Sequence, residues 1–398
     1  MKKIYKLIAI IIVMFSFLTV SAQQREKCGT QEWLETQFRA HPELRAQYDQ
    51  REQALGAAIT AKMARRAAGQ EPAFAPPVTI PIVFHVVLTA AQHAVITDAM
   101  IMSQLNVLNV DYGGRNADSA NVPAAFQAVR GHATFSFCLA QRTPAGLATT
   151  GIERIISNTK SSSSSTNDPI KSTAAGGADA WDPSKYVNIW LTTFTNTQLL
   201  GYATFPIGSP EGINNPTQQG VVVLAQSIPG GTAAPYNKGR TLTHELGHFF
   251  WLRHITGDVA CGNDFPNTPG IDDTPQQSDL TGGCPGTAPV VNSSASGCAA
   301  SPNPPGRMFQ NYMDYTDDGC MTMFTNGQNL RSEMAINMYR ASLLTSDGCL
   351  PPSGFTFTTP ATTNVGCAGP ASASTTLSTT SAGGYVVPVV LTATSGVP

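Results

Sequence analysis

The segment Thr243-His244-Glu245-Leu246-Gly247-His248-Phe249-Phe250-Trp251-Leu252-Arg253-His254 decides how the rest of the chain is read. In a helix, residues four apart share a face, so His244 and His248 project the same way and can hold one metal ion. Glu245 follows the first ligand and is placed to reach a metal-bound water instead of the metal. His254, six residues beyond His248, completes three nitrogen ligands and leaves a fourth position for water. Three neutral imidazoles keep Zn²⁺ strongly Lewis acidic. The ion lowers the pKa of its water to about 7, and a carboxylate can then take the proton as the water attacks a carbonyl. The chain has seven histidines, and three of them gather round this one glutamate, which ordinary packing does not explain. His41, His85, His93 and His132 have no such context and read as structural or solvated.

Outward from this helix, strands and helices alternate on the N-terminal side. Val78-Thr79-Ile80-Pro81-Ile82-Val83-Phe84-His85-Val86-Val87 is a buried, mostly β-branched strand. Residues 96–111 carry Met100, Ile101, Gln104, Leu105, Leu108 and Asn109 at helical spacing. Residues 135–140, 187–193 and 221–224 are further strands, and the Ser/Thr-rich residues 158–175 are a loop. After residue 250 irregular chain dominates, so the pattern is α+β.

At 398 residues the chain can hold more than one module, and 42% hydrophobic residues allow a sizeable core. Only 13% of residues are charged, and a net charge of −2 gives no reason to expect nucleic acid or an anionic membrane surface as partner. Lys2, Lys3 and Lys6 precede an apolar run over residues 7–20 that ends in Val20-Ser21-Ala22, the pattern of a secretory signal peptide. That run falls short of the ~20 residues a spanning helix needs. The expected product is therefore secreted or at the cell surface, without stable membrane insertion.

Residues 23–77 follow as a charged, helix-prone segment in which Trp33, Leu34, Phe38, Leu44, Tyr48 and Leu55 make one apolar stripe. A dibasic Arg65-Arg66 and an Ala/Gly/Pro-rich linker end it, as in a removable propeptide. Its single cysteine, Cys28, precedes Gly29, which allows close backbone approach, and a thiolate is a good zinc ligand. The segment therefore reads as a zymogen switch; the other reading of Cys28 is a disulfide to Cys138, Cys349 or Cys367. Eight cysteines in an exported chain are candidates for disulfides. Cys261, Cys284, Cys298 and Cys320 crowd the loop-rich region after the histidines, and sequence alone allows three pairings of four cysteines. The same loop holds Asp264, Asp272, Asp273, Thr274 and Asp279, oxygen ligands suited to Ca²⁺, or else simply a solvated acidic stretch. After Pro351 the composition shifts to Thr, Ser, Ala and Val, with a strand at residues 385–391, as at the start of a β-sandwich cut short.

With these residues in view, His-Glu-x-x-His followed by a histidine six residues on resembles the metzincin zinc peptidases. Asn311-Tyr312-Met313-Asp314-Tyr315-Thr316-Asp317-Asp318 is similar to their methionine turn. That octapeptide, Cys320 and the upstream cysteines look like the pappalysin family in particular, over residues 78–350. The resemblance implies a twisted mixed sheet with helices above a cleft, an irregular disulfide-stapled half below it, and endopeptidase activity on protein or peptide substrates. It also implies Met313 as a hydrophobic floor under zinc, Tyr315 as an oxyanion donor, and a calcium site at Asp272, Asp273 and Thr274. It pairs Cys261 with Cys298 and Cys284 with Cys320, and it places Asp318 in the pocket for an Arg or Lys after the scissile bond. The division is then signal peptide 1–22, propeptide 23–77, catalytic domain 78–350 and a C-terminal β-module 351–398. One position departs from the pattern: the family has glycine where this chain has Trp251. A left-handed tryptophan costs ~1–2 kcal/mol, so either packing of the ring offsets this or the turn is made differently.

Overall fold

The computed structural model describes residues 27–70, 78–206, 216–262, 273–285, 297–298, 306–352, 356–358 and 378–380. Two N-terminal helices, α1 (Thr30–Ala40) and α2 (Glu43–Ala67), precede strand β1 (Val78–Leu88) and helix α3 (Asp98–Tyr112). Strands β2 (Phe135–Leu139), β3 (Ile152–Ile156), β4 (Val187–Thr192), β5 (Gly201–Ala203) and β6 (Val221–Leu224) lead to helix α4 (Arg240–Phe249). Irregular chain then runs to helix α5 (Asn326–Tyr339).

The sheet order is β2-β1-β4-β6-β5, and β3 also pairs with β1. β1 is long enough to serve both partners on one edge: residues 78–82 face β2 and residues 84–88 face β3. All pairs are parallel except β5 with β6, so β5 is an antiparallel edge strand. Parallel strands covered on both faces read as unbroken apolar runs, and β1 from Ile80 to Leu88 and all of β4 are buried. One face of the sheet packs on α3 and α4 through Ile82, Phe84, Ile189, Leu105, Leu242 and Leu246. On the other side a second cluster joins Trp190, Tyr202, Phe205 and Trp251 to Trp33, Phe38, Leu44, Tyr48 and Leu55 of α1 and α2.

The N-terminal segment is thus two helices packed into the body. The expected single stripe is broken at His41-Pro42: α1 ends at Ala40, and Pro42 is the N-cap of α2, because proline fits a helix start but not its interior. The stripe residues are nonetheless all buried. His85 is buried in β1, with Glu153 at Nδ1 (2.7 Å) and Asn188 at Nε2 (2.9 Å), a structural role.

Cys138 is bonded to Cys349, Cys261 to Cys298 and Cys284 to Cys320, and Cys28 is a free, buried thiol. The alternative disulfide of Cys28 with Cys138 or Cys349 is therefore excluded. No helix among the described residues is long and apolar enough to cross a membrane. The signal peptide, Asp264, Asp272, Cys367 and the strand at residues 385–391 lie outside the described residues. Beyond residue 352 only a pair of three-residue strands (Thr356–Thr358, Ser378–Thr380) is described, and it does not establish a β-sandwich.

Candidate active site

Helix α4 begins at Gly239, whose φ of +89° suits glycine and whose missing Cβ leaves room for Gln104. Arg240 anchors this end through ion pairs with Asp111 and with Asp118 (2.8 Å). Asp318 accepts the backbone N–H of Lys238 (2.8 Å) and of Arg240 (3.3 Å), a carboxylate on the electropositive end of the helix. The far end closes by two backbone bonds, Leu252 N–H to Gly247 O (2.8 Å) and Trp251 N–H to His248 O (2.9 Å). This is the Schellman pattern, which needs a left-handed residue where Trp251 stands. Trp251 adopts φ +73°. The turn is therefore the one glycine would make, and packing offsets its cost. The indole is fully buried, stacks on Tyr48 at 5.4 Å and donates its Nε1–H to Glu52 (2.6 Å).

That turn brings His254 back to the helix. The Nε2 atom of His248 lies 3.2 Å from Nε2 of His244 and 3.2 Å from Nε2 of His254. Each Nδ1 faces an oxygen that can only accept: Tyr312 O (2.6 Å), Leu252 O (2.8 Å) and Asp258 Oδ1 (2.5 Å), respectively for His244, His248 and His254. The protons are therefore on Nδ1, and three Nε2 lone pairs face one another with no hydrogen between them. Such a set demands a cation, and tetrahedral zinc with nitrogens at about 2.0–2.1 Å fits this separation. Burial, and then the neighbouring His254, hold the His244 imidazole well below its usual range, and the same causes act on His248. Both are therefore neutral, the form in which an imidazole can bind a metal. Cys28 completes a buried group of four potential metal donors, with all donor atoms within 4.8 Å of one another.

Beside the three imidazoles lies Met313. A Cβ on Gly247 would come within 2.5 Å of its sulfur, which explains a glycine in the middle of this helix. Above them, a Cβ on Gly201 of β5 would come 2.8 Å from Glu245 Cγ, so glycine there admits the carboxylate. Glu245 accepts from Thr30 Oγ1 (2.9 Å) and lies 3.5 Å from Cys28 Sγ. Burial pushes its carboxyl up to about 8, and burial followed by the charge of Glu245 pushes the Cys28 thiol well up. A divalent cation held by the histidines would act in the opposite sense on both, and a thiol coordinating it would lose its proton. The Tyr315 ring lies 5.0 Å from that of His254, and its hydroxyl donates to Cys28 O (3.4 Å).

The chain before α1 crosses this site along the free edge of β5. Cys28 bridges Gly201 in parallel, and Gly29 N–H donates to Gly201 O (2.8 Å). Lys27 precedes it and enters the cavity lined by Tyr236, Arg240, His244, Glu245, Tyr315 and Asp318. Its ammonium donates to Thr316 O (2.8 Å) and to Tyr315 O, and stands 4.1 Å from the Tyr236 ring. Burial lowers Lys27 to about 8, against the pull of Asp317, Asp318 and Asp314. Burial raises Asp318 to about 6, against its backbone donors.

The structure thus brings together His244, His248, His254, Glu245, Met313, Tyr315, Asp318 and Cys28. Of the calcium candidates, Asp273 accepts Gly327 N–H at the start of α5 (2.8 Å) and Thr274 is buried. Sequence reasoning missed Lys27, Thr30, Asp258 and Glu52. Only Asp258, four residues after His254, carried a local signal.

Three imidazoles converging beside a buried glutamate, in a cleft with an edge strand for one wall, define a metallopeptidase. Residues 171–337 match the family model described as pregnancy-associated plasma protein-A. An extracellular metalloprotease of Verticillium alfalfae is 31% identical over 263 residues, 65% of this chain and 77% of that protein. One from Uncinocarpus reesii is 32% identical over 260 residues, 65% and 76% of the two chains. Among solved structures, mature mirolysin of Tannerella forsythia in complex with a cleaved peptide is 39% identical, with a TM-score of 0.59 over 68% of this chain and 96% of that one. A promirolysin mutant from the same organism is 34% identical, with a TM-score of 0.64 over 80% and 97%. The chain belongs to the pregnancy-associated plasma protein-A (pappalysin) family of metalloendopeptidases. The family implies a zinc ion and peptide substrates, and relatives named extracellular metalloproteases support a secreted protein.

Proposed function

We propose that this chain is a secreted zinc endopeptidase made as a zymogen, with residues 23–77 as a removable segment and residues 78–350 as the catalytic domain. The observation that carries this reading is the buried quartet of His244, His248, His254 and Cys28 with Glu245 alongside. His244, His248 and His254 hold zinc, which when bound supplies Lewis acidity to the carbonyl and the attacking water. Glu245, in a dry site and without a partner for Oε1 among the described residues, takes a proton from that water. It returns the proton to the amine as the carbon–nitrogen bond breaks. Tyr315 donates to the carbonyl oxygen of the scissile peptide as negative charge develops there; its bond to Cys28 O supports that role.

In the zymogen the Cys28 thiolate takes the position that water needs. Lys27 lies in the pocket with Asp318, which supports a preference for Arg or Lys after the scissile bond. Calcium at Asp272, Asp273 and Thr274 is part of the same reading, as a structural ion. The test is Glu245→Ala: zinc content measured by mass spectrometry stays at one ion per chain, and casein hydrolysis is abolished. Substantial turnover at unchanged zinc content refutes the role of Glu245, and chelator-insensitive hydrolysis by the wild type refutes the metal.

A further inference from the structure

The zinc site explains Lys27, Cys28 and Thr30, but not why a 25-residue helix follows them. Helix α2 lies against α5 and the end of α4, far along the chain from the thiol. Tyr48 and Glu52, four residues apart and so on one helical face, meet an aromatic and cationic surface. Tyr48 stacks on Trp251 and accepts from Arg253 Nε (3.2 Å). Glu52 accepts from Trp251 Nε1 (2.6 Å) and Arg331 Nη2 (2.7 Å to Oε1), and Arg253 lies 3.7 Å away. Arg331 is fully buried and also donates to Trp251 O (2.9 Å). Burial works to raise the Glu52 carboxyl, but Arg331 and Arg253 outweigh it and hold it below its usual range. Tyr339 completes the surface, with its ring 5.0 Å from Trp251 and its hydroxyl donating to Arg51 O of α2 (2.7 Å). Leu55 and Ile59 are buried in the same cluster as Leu330 and Ala335 of α5.

We propose that Trp251, Arg253, Arg331 and Tyr339 form a docking surface on the catalytic domain for helix α2, which holds the excised N-terminal segment in place as a non-covalent inhibitor after the chain is cut. The proposal rests on the reading of residues 23–77 as a removable segment. Aromatic stacking and a carboxylate shared by two arginines and an indole are the features of an interface anchor: a truncation there costs the most because its buried partners lose their bonds. The residue that departs from the family's glycine is the one the helix covers. Cutting at Arg65-Arg66 would therefore not by itself start activity. Release of α2 is a second, separate step.

The test uses the full chain with a site-specific protease sequence inserted after Gln70. A Glu245→Ala background prevents autolysis, and Cys28→Ser removes the thiol anchor. After cutting at micromolar concentration, the segment is expected to co-elute with the body on gel filtration. Glu52→Gln, of the same volume, or Tyr48→Leu, which removes the stacked ring and its hydroxyl, both compatible with a helix, is expected to release it about 30-fold faster or more. Separation of the cut segment without either substitution overturns the proposal, as does a change under about threefold with both. In the catalytically intact chain, cutting alone is expected to leave casein hydrolysis suppressed until the segment is diluted away, and immediate full activity on cutting overturns the inhibitory role. If the uncut chain is already as active as the segment-free one, the zymogen reading fails. Co-elution still reports the surface independently of that result.

Discussion

Replacement of Trp251 by glycine restores the family's residue at a position where this chain has built around an indole. Removing a fully buried tryptophan costs about 3–5 kcal/mol, and the bond to Glu52 adds about 1. Against this, glycine relieves the left-handed strain at φ +73°, worth about 1–2 kcal/mol. Glycine's greater freedom in the unfolded chain adds about 0.5–1 kcal/mol, so the full-length chain should lose about 4 kcal/mol, read for a chain of this length as a fall in Tm of about 5 °C in a Glu245→Ala background. Trp251→Ala loses the same ring without relieving the strain. Set against the strain it relieves, that extra freedom leaves glycine melting about 1 °C above alanine. Zinc content should be unchanged in both, because the Schellman bonds that deliver His254 are made by the backbone. Alanine melting above glycine refutes the positive-φ argument. Zinc loss in the glycine variant alone refutes the claim that the turn is independent of the ring.

Other expectations follow from single contacts. Cys28→Ala should raise the activity of the uncut chain at least tenfold, seen as faster casein turnover before any change of mass; a variant as latent as wild type removes the switch role. Asp258→Asn, which weakens the bond at His254 Nδ1, should lower zinc affinity about 10–100-fold in competition with a chromophoric chelator, and an unchanged affinity leaves Asp258 without a positioning role. Asp318, raised to about 6 by burial, loses its charge as pH falls through that value. KM for substrates with Arg after the cut should therefore rise below about pH 6 relative to apolar substrates, and Asp318→Ala should abolish the difference. A basic preference that survives the substitution assigns specificity elsewhere.

The convergence of His244, His248 and His254 was legible because the spacing that matters is local: four residues is one helical turn, and six spans a cap that backbone bonds close. Strands β1, β4 and β6 were legible because a parallel sheet buried on both faces selects unbroken β-branched runs. The stripe in the N-terminal segment announced burial but not its partner, since a helical period states which face is apolar and never what covers it. Lys27, Thr30 and Glu52 meet Thr316, Glu245 and Arg331 across more than two hundred residues, and no periodicity encodes such meetings. Even Asp258, close in sequence to His254, reaches the imidazole only because Gly257 and Asp258 both turn left-handed, at φ +65° and +63°. The sequence by itself determined the chemistry, which depends on residue types at short spacing. The tertiary structure decided which residues cross the site and what the N-terminal helices pack against, because those contacts depend on where distant segments come to rest.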